Sequence, residues 1–593
     1  MTWATRTFSL AAIGGALALV LSGCGSSGGT TVPSGLTIPA GVQTPAKQSQ
    51  TCATRGGTLN VLNHEEFEHI DPGESYFVGD YQLLYAAQRP LYGYKPNSLK
   101  QQVPDLAESM PQISSDAKTI TIHIRHGVHF SPPVNREVTS ADVAYALERG
   151  ANPNVANPYF SVYFSSIEGA EHAKGGPIPG IQTPDKYTLV LKLTTPTAAI
   201  VSQALVLPLS APVPQEYAKK YDEKTPSEYG NFQVATGPYM FKANAEHKVL
   251  GVGYEPGKSV TLVRNPNWNP STDFRPACLN QISIKIGGEP NVIGRQVLAG
   301  SNLVQNDPPS RTVVQEAYEH HRSQLSVSPG AGIRYVAVNN AHGPFTNVNL
   351  RKALWAALNR VAMNKARGGE LVSNVATHFI YPELQGFEEA GGLTGPKVDY
   401  NEHPEGDMTV AEKYMKLAGY PSGKYTGSGT VQIVGSNDVP QAPEIVEQTL
   451  KNLGFKTKLT LVEQSTMYGK YCTVVKEEID VCPSVGWVSD FTDAQAFLGV
   501  AFNGKVISTE GPNPNFGQVN DPTINKAMEQ AEPIVGTSAR ANAWAAIDKE
   551  LVGIAATVPY DWEKAPWVES SDVAGVGNIW EGGAWDYSFT SLK

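Results

Sequence analysis

The chain has 593 residues, with 46 Lys and Arg against 56 Asp and Glu, a formal net charge of −10. That balance argues against a nucleic-acid binder, which needs a basic face, and a mean hydropathy of −0.24 excludes a polytopic membrane protein. At about 150 residues per domain the length allows roughly four domain-sized units, and 56 Gly with 43 Pro are too few for a low-complexity chain.

At the N-terminus, Arg6 precedes an apolar run from about Leu10 to Leu21. The run suits a signal-peptide core and is short for a membrane span. It ends in Leu21-Ser22-Gly23-Cys24, which resembles the lipobox of bacterial lipoproteins. That resemblance implies a signal peptide over 1–23 and a lipidated Cys24, whose acyl chains would anchor the protein at a membrane. An ordinary cleaved signal with an incidental Cys is the alternative. Residues 24–55 are expected to be a flexible tether, because 25–50 are rich in Gly, Ser, Thr and Pro and carry no core-forming pattern. Four further cysteines, Cys52, Cys278, Cys472 and Cys482, suit two disulfides in an exported protein. Three pairings are possible; the short local loop favours Cys472 with Cys482, which leaves Cys52 with Cys278. No C-x-x-C or H-x-x-x-H spacing supports zinc.

Along the body, GTLNVLN (57–63) reads as a first strand, and TITIHI (119–124) alternates with Ile120, Ile122 and Ile124 on one face. Thr139 and Asp142 open a helix that runs through Arg149 and stops at Gly150. YTLVLKL (187–193) alternates again, and GPYMFK (237–242) and SVTLV (259–263) read as short strands. IRYVAVNN (333–340) is a strand. Residues 348–361 carry a helical stripe of Leu350, Ala353, Leu354, Ala357, Leu358 and Val361. Residues 409–418 form a helix with Thr409 and Glu412 as its capping box and Gly419 as its stop. A strand at 431–434, a helix carrying Ile445, Val446, Leu450 and Leu453, and a strand at 458–462 make a parallel crossover unit. A last helix groups Trp544, Ile547, Leu551 and Ile554, and the tail from Val558 has little periodicity.

Catalytic signals are absent from this pattern. There is no Walker A string and no H-E-x-x-H. The G-x-S-x-G string at 25–29 lies in the tether, without a strand–turn–helix around it. His64, Glu65, Glu66 and His69 suit a polar loop better than a metal cage, and His320-His321 suits a solvated face. No cofactor, metal or catalytic residue is expected. The unusual stretch is 486–493, where Trp487 and Phe491 alternate with Asp490 and Asp493. A Trp beside a carboxylate suits an organic cation, through its π face and a charge-assisted bond. The same residues also suit a packed Trp with helix-capping aspartates.

Taken together, GGTLNVLNHEEFEHIDP, VPDLAESMPQISSDAKTITIHIRHGVHFS with VTSADVAYALER, TGPYMFK, LVRNPNW, YVAVNNAHGPFTNVNLRKALWAALNR, GWVSDFTDAQAFL and VPYDWEKAPWV resemble one family. It is the extracellular solute-binding proteins of ABC importers, peptide/nickel type (family 5). The resemblance implies an α/β bilobed clamshell of the type II periplasmic-binding-protein kind, with an extra subdomain and a two-crossing hinge. Lobe I would be 56–92, 230–330 and 556–593, the extra subdomain 93–229, and lobe II 331–555. The crossings would fall near 328–335 and 553–560. By resemblance, Asp490 of the G-W-x-x-D loop binds a peptide's α-ammonium, Trp487 walls the pocket, Gly486 lets the backbone approach, and Phe491 stands where the family often has Tyr. The implied protein is a monomer that hands peptides, or peptide-like solutes, to a permease and its ATPase subunits. An oligosaccharide, opine or nickel chelate on the same scaffold is the alternative.

Overall fold

A computed structural model describes residue 42 and residues 51–96, 98–509, 512–576 and 585–593. The signal segment, Cys24 and most of the tether lie outside the described residues. Where the tether is described it is fixed to the body. Val42 is buried among Val297, Val313 and Leu325, and Cys52 is disulfide-bonded to Cys278. The second disulfide joins Cys472 and Cys482.

Among the described residues, the strands form two six-stranded sheets and one four-stranded sheet, besides two short pairs. The first six-stranded sheet is ordered Leu303–Gln305, Thr58–Asn63, Gln281–Ile286, Ser259–Arg264, Tyr239–Phe241, with Tyr254–Glu255 also on Ser259–Arg264. Thr58–Asn63 runs parallel to both neighbours, with Leu59 opposite Ile282. Leu59, Val61, Leu262, Ile282 and Ile284 supply its core. The four-stranded sheet is antiparallel, with Ile120 opposite Leu191. Its alternation is that of a sheet wet on one side: Ile120, Ile122, Leu189 and Leu191 are buried, while Thr119, Thr121 and His123 are half-exposed. The helix Ser140–Gly150 lies against it, opened by the reciprocal Thr139–Asp142 capping box.

The second six-stranded sheet is ordered Ser373–Val375, Val558–Val568, Leu325–Val338, Val481–Val488, Thr430–Ser436, Lys456–Val462. Its last two strands are parallel, with Ile433 opposite Leu459, and the helix Gln441–Asn452 crosses between them. Its core takes residues from Ile333 to Trp562.

Three elements differ from the sequence pattern. The stripe over 348–361 is two helices, Val348–Ala357 and Arg360–Arg367. Leu358 turns extended, and Asn359 caps the second helix by accepting from the Ala362 N–H at 2.8 Å. The helix Met408–Leu417 is capped by Asp407, which accepts from the N–H groups of Thr409 and Val410, rather than by Thr409. The tail contains the 11-residue strand Val558–Val568. That strand is buried on nearly every residue, so it shows no alternation to read.

The strands Leu325–Val338 and Val558–Val568 link two cores. Leu325 and Val327 pack in the cluster that holds Val297 and Val568, and Ile333 packs in the second sheet's core. On the partner strand, Trp562 lies in the second sheet's core and Trp567 in the first sheet's. Their antiparallel register slips between Pro329 and Ile333. Gly330 is required there, because a Cβ would sit 1.8 Å from the Glu563 carbonyl oxygen.

Candidate functional site

The strand Val481–Val488 carries Gly486 and Trp487 directly into the loop 489–493. Gly486 is the Cα partner of Arg334 on the neighbouring strand. The space its missing side chain leaves is taken by that neighbour: a Cβ would lie 2.6 Å from Ile333 O and 2.7 Å from Arg334 Cδ. Its N–H donates to the Tyr468 hydroxyl at 2.9 Å. Trp487 is half-buried; its indole N–H donates to Ala496 O at 3.1 Å, and its ring stacks on Phe497. Asp490 is 8% exposed and accepts a hydrogen bond from the Tyr163 hydroxyl. Phe491 is fully buried and meets the Tyr163 ring edge-on at 5.0 Å. Asp493 pairs with Arg540, Nε to Oδ2 at 2.6 Å. The structure thus brings Gly486, Trp487, Asp490 and Phe491 into one short segment, with Asp490 and Phe491 facing residues from the first third of the chain.

On the same sheet, a small crevice of about 20 Å³ is lined by Arg334, Arg367, Ser436, Asp438, Val439, Ala442, Gln464, Ser484 and Tyr560. The strand order explains the convergence. Arg334, Ser484, Ser436 and Tyr560 stand on four neighbouring strands, and Arg367 ends the helix that follows Asn359. Arg334 Nε donates to Glu563 Oε1 at 2.9 Å, and Arg367 reaches the same oxygen at 2.6 Å and Asp561 at 3.1 Å. Burial would push Glu563 up, but the two guanidinium groups outweigh it and hold the carboxyl below the usual carboxylate range. Burial wins at Asp561 and raises it to about 7, against the pull of Arg367. The Tyr560 hydroxyl is buried and finds no hydrogen-bond partner among the described residues. Burial pushes it up to about 12, so it remains a donor at neutral pH. Two arginines, an unmet phenol and two serine hydroxyls face this crevice together with the Asp438 carboxylate, and both arginines are already paired with Glu563 or Asp561.

None of these crevice residues was singled out in the sequence. One signal was present: Arg334 interrupts the apolar strand IRYVAV, and a cation in a buried strand needs a reason. Tyr560, Asp561 and Glu563 lie in the strand that showed no period.

The polar loop after the first strand is tied to residues 74, 257 and 288. His64 Nδ1 lies 2.6 Å from Gly288 O, Glu66 accepts from the Gly257 N–H, and His69 Nδ1 lies 3.5 Å from Glu74. Burial raises Glu65, and Asp307 adds to it.

Residues 101–508 match the profile of the bacterial extracellular solute-binding proteins, family 5. The chain belongs to this family. The periplasmic oligopeptide-binding protein OppA of Escherichia coli K12 is 25% identical over 481 residues, covering 78% of this chain and 81% of that protein. The clavulanic acid biosynthesis oligopeptide binding protein 2 superposes with a TM-score of 0.77 at 22% identity, covering 92% of this chain and 99% of that one. AgaA of A. tumefacien R10, solved with agropinic acid, gives a TM-score of 0.64 at 20% identity, over 91% of this chain and 99% of that one. The fold is therefore the bilobed α/β clamshell of the family 5 solute-binding proteins, and the family is one of binders. No helix among the described residues is long and apolar enough to cross a membrane.

Proposed function

We propose that this family 5 protein is the solute-capturing lipoprotein of an ABC importer, and that its solute is a short peptide or a peptide-like zwitterion. The observation that carries this reading is an acid, Asp490, in the loop that follows the strand Val481–Val488, with Arg334 on the neighbouring strand and Arg367 at the end of the helix Arg360–Arg367. Gly486, partner of Arg334, lies four residues before Asp490. At roughly 3.3 Å per residue that is about 13 Å, the span of an extended peptide of about four residues. The α-ammonium would pair with Asp490, a bond worth roughly 1.5–3 kcal/mol. The carboxylate would enter the crevice and take donors from Arg334, Arg367 and Tyr560. Trp487, beside core-facing Ile333 on the opposite face of the strand from Arg334, would wall the pocket only toward Asp490.

Lobe I would comprise 56–92, 230–330 and the tail, the segment 93–229 its extra subdomain, and 331–555 most of lobe II. The crossings would fall near 328–335 and 553–560, and the change of core between Trp562 and Trp567 supports a second bend reaching to about 563–566. The slipped register opposite Glu563 and Lys564 is where closure would bend the chain. Cys24 would hold the protein at the membrane, where a permease with its ATPase subunits would receive the solute.

The test is mass spectrometry of small molecules released by denaturing the purified protein. Mixed short peptides support the reading. One defined non-peptide, such as an opine or a sugar oligomer, keeps the clamshell and overturns the peptide assignment.

A further inference from the structure

The loop 489–493 leaves the core of the strand that carries it. Val481 and Val485 before it and Phe497 after it pack in the second sheet's core. Phe491 between them packs in the core built by Tyr81, Ile120, Phe164 and Leu209. The Tyr163 hydroxyl donates to Asp490 while its ring takes the edge of Phe491. One residue further, the Thr492 N–H donates to the Tyr94 hydroxyl at 3.2 Å, and Thr492 Oγ1 lies 3.1 Å from the same oxygen. From its own side the loop is held by Arg540 on Asp493. It is therefore gripped from both sides of the cleft. Burial, with the Asp490 carboxylate adding to it, pushes the Tyr163 phenol well above its ordinary value, so it stays protonated and can only donate here.

We infer that Tyr163 is an interlobe latch: its bond to Asp490, backed by the Phe491 ring, holds the lobes together before any solute enters. Opening the cleft would expose the Phe491 ring and return both Asp490 and Tyr163 to water. The closed, binding-competent form is then populated in the solute-free protein, and apparent affinity scales with that population. A solute cation that reaches Asp490 meets an acid already oriented by the phenol. Tyr163 is thus a positioning residue. This inference rests on the two-lobed reading given above and not on which solute is bound.

The experiment is single-molecule energy transfer on the solute-free full chain, with dyes on Val292→Cys and Leu417→Cys, both exposed positions on opposite sides of the proposed cleft. Tyr163→Phe removes one oxygen and keeps the ring. It should lower the closed-to-open ratio about tenfold, the effect of one charge-assisted hydrogen bond. Asp490→Asn reads the same bond from the other side and should lower the ratio comparably. The double variant should fall no further than either single one, because both remove the same bond. Apparent affinity for the probe Ala-Ala-Ala should drop in Tyr163→Phe by the same factor as the closed fraction read from that ratio. An unchanged ratio in both single variants, or two losses that add, would overturn the latch. Because the ratio is read without solute, that failure would leave the peptide reading standing. A normal latch with no Ala-Ala-Ala binding would do the reverse.

Discussion

Two buried arginine clusters in this protein are paired to different degrees. Around Asp105 every charge is closed off. Arg275 places Nε on Asp586 at 2.9 Å, one terminal nitrogen on Asp273 at 3.0 Å and the other on Asp105 at 2.5 Å. Arg89 adds Nε on Asp105 at 2.7 Å and fills its remaining nitrogens with Thr272 and the Asp105 carbonyl. The pairing holds the Asp273 carboxyl down at about 2 despite burial. In the crevice, Arg334 gives Nε to Glu563, and the neighbouring Tyr560 hydroxyl has no partner among the described residues. The Asp105 network is fully paired, whereas the crevice keeps an unmet phenol that, on the reading proposed above, a guest carboxylate would satisfy.

Breaking the sealed cluster should have the largest effect. Asp105→Ala strands two buried guanidinium groups and should cost about 3–5 kcal/mol of folding stability, read as a fall in the urea midpoint with unchanged slope. Asp490→Ala should leave folding largely intact and weaken binding of Ala-Ala-Ala by about 10- to 100-fold. Arg334→Met should be milder still in binding. Glu563 keeps Arg367 at 2.6 Å, so the loss of stability should be smaller than for Asp105→Ala, about 1–3 kcal/mol. Affinity for a free-carboxylate peptide should fall about tenfold, while that for the same peptide as its C-terminal amide hardly moves. Equal losses for acid and amide would show that the crevice is as structural as the Asp105 cluster.

The smallest effect concerns a third buried acid. Burial raises Glu569 from 4.5 to about 8. Between those values the folded chain keeps a proton that the unfolded chain has released, so this group's contribution to stability falls as pH rises. Glu569→Gln should remove that slope. Its melting temperature should exceed the unsubstituted protein's by a few degrees at pH 8 and match it near pH 4.5, as checked by calorimetry across that range.

What could be read in the sequence was local. The alternating Ile120, Ile122 and Ile124, the Thr139–Asp142 box and the parallel crossover at 430–462 each carry their signal within a few residues, and the structure contains all three. The Gly486–Asp493 segment stood out for the same reason: its aromatic and acidic residues are contiguous. The crevice was not, because Arg334, Ser436 and Tyr560 are scattered over more than two hundred residues and meet only through strand order. The strand that supplies Tyr560 hid itself by being buried on both faces. The break at Leu358 was also hidden, since apolar residues continue the stripe across it and the capping role of Asn359 shows only once the Ala362 N–H is seen to bond it.

The central claim is that the cleft reads both ends of a zwitterionic peptide. Titration calorimetry with Ala-Ala-Ala, its N-acetyl form and its C-terminal amide tests it most directly, on the unsubstituted protein beside Asp490→Ala and Arg334→Met. The expected result is that acetylation costs no further affinity once Asp490→Ala has removed the acid, and amidation none once Arg334→Met has removed the cation, while Asp490→Ala alone costs more than acetylation because it also breaks the Tyr163 bond. Binding that ignores both blocked termini, or losses that add across each pair, would contradict it.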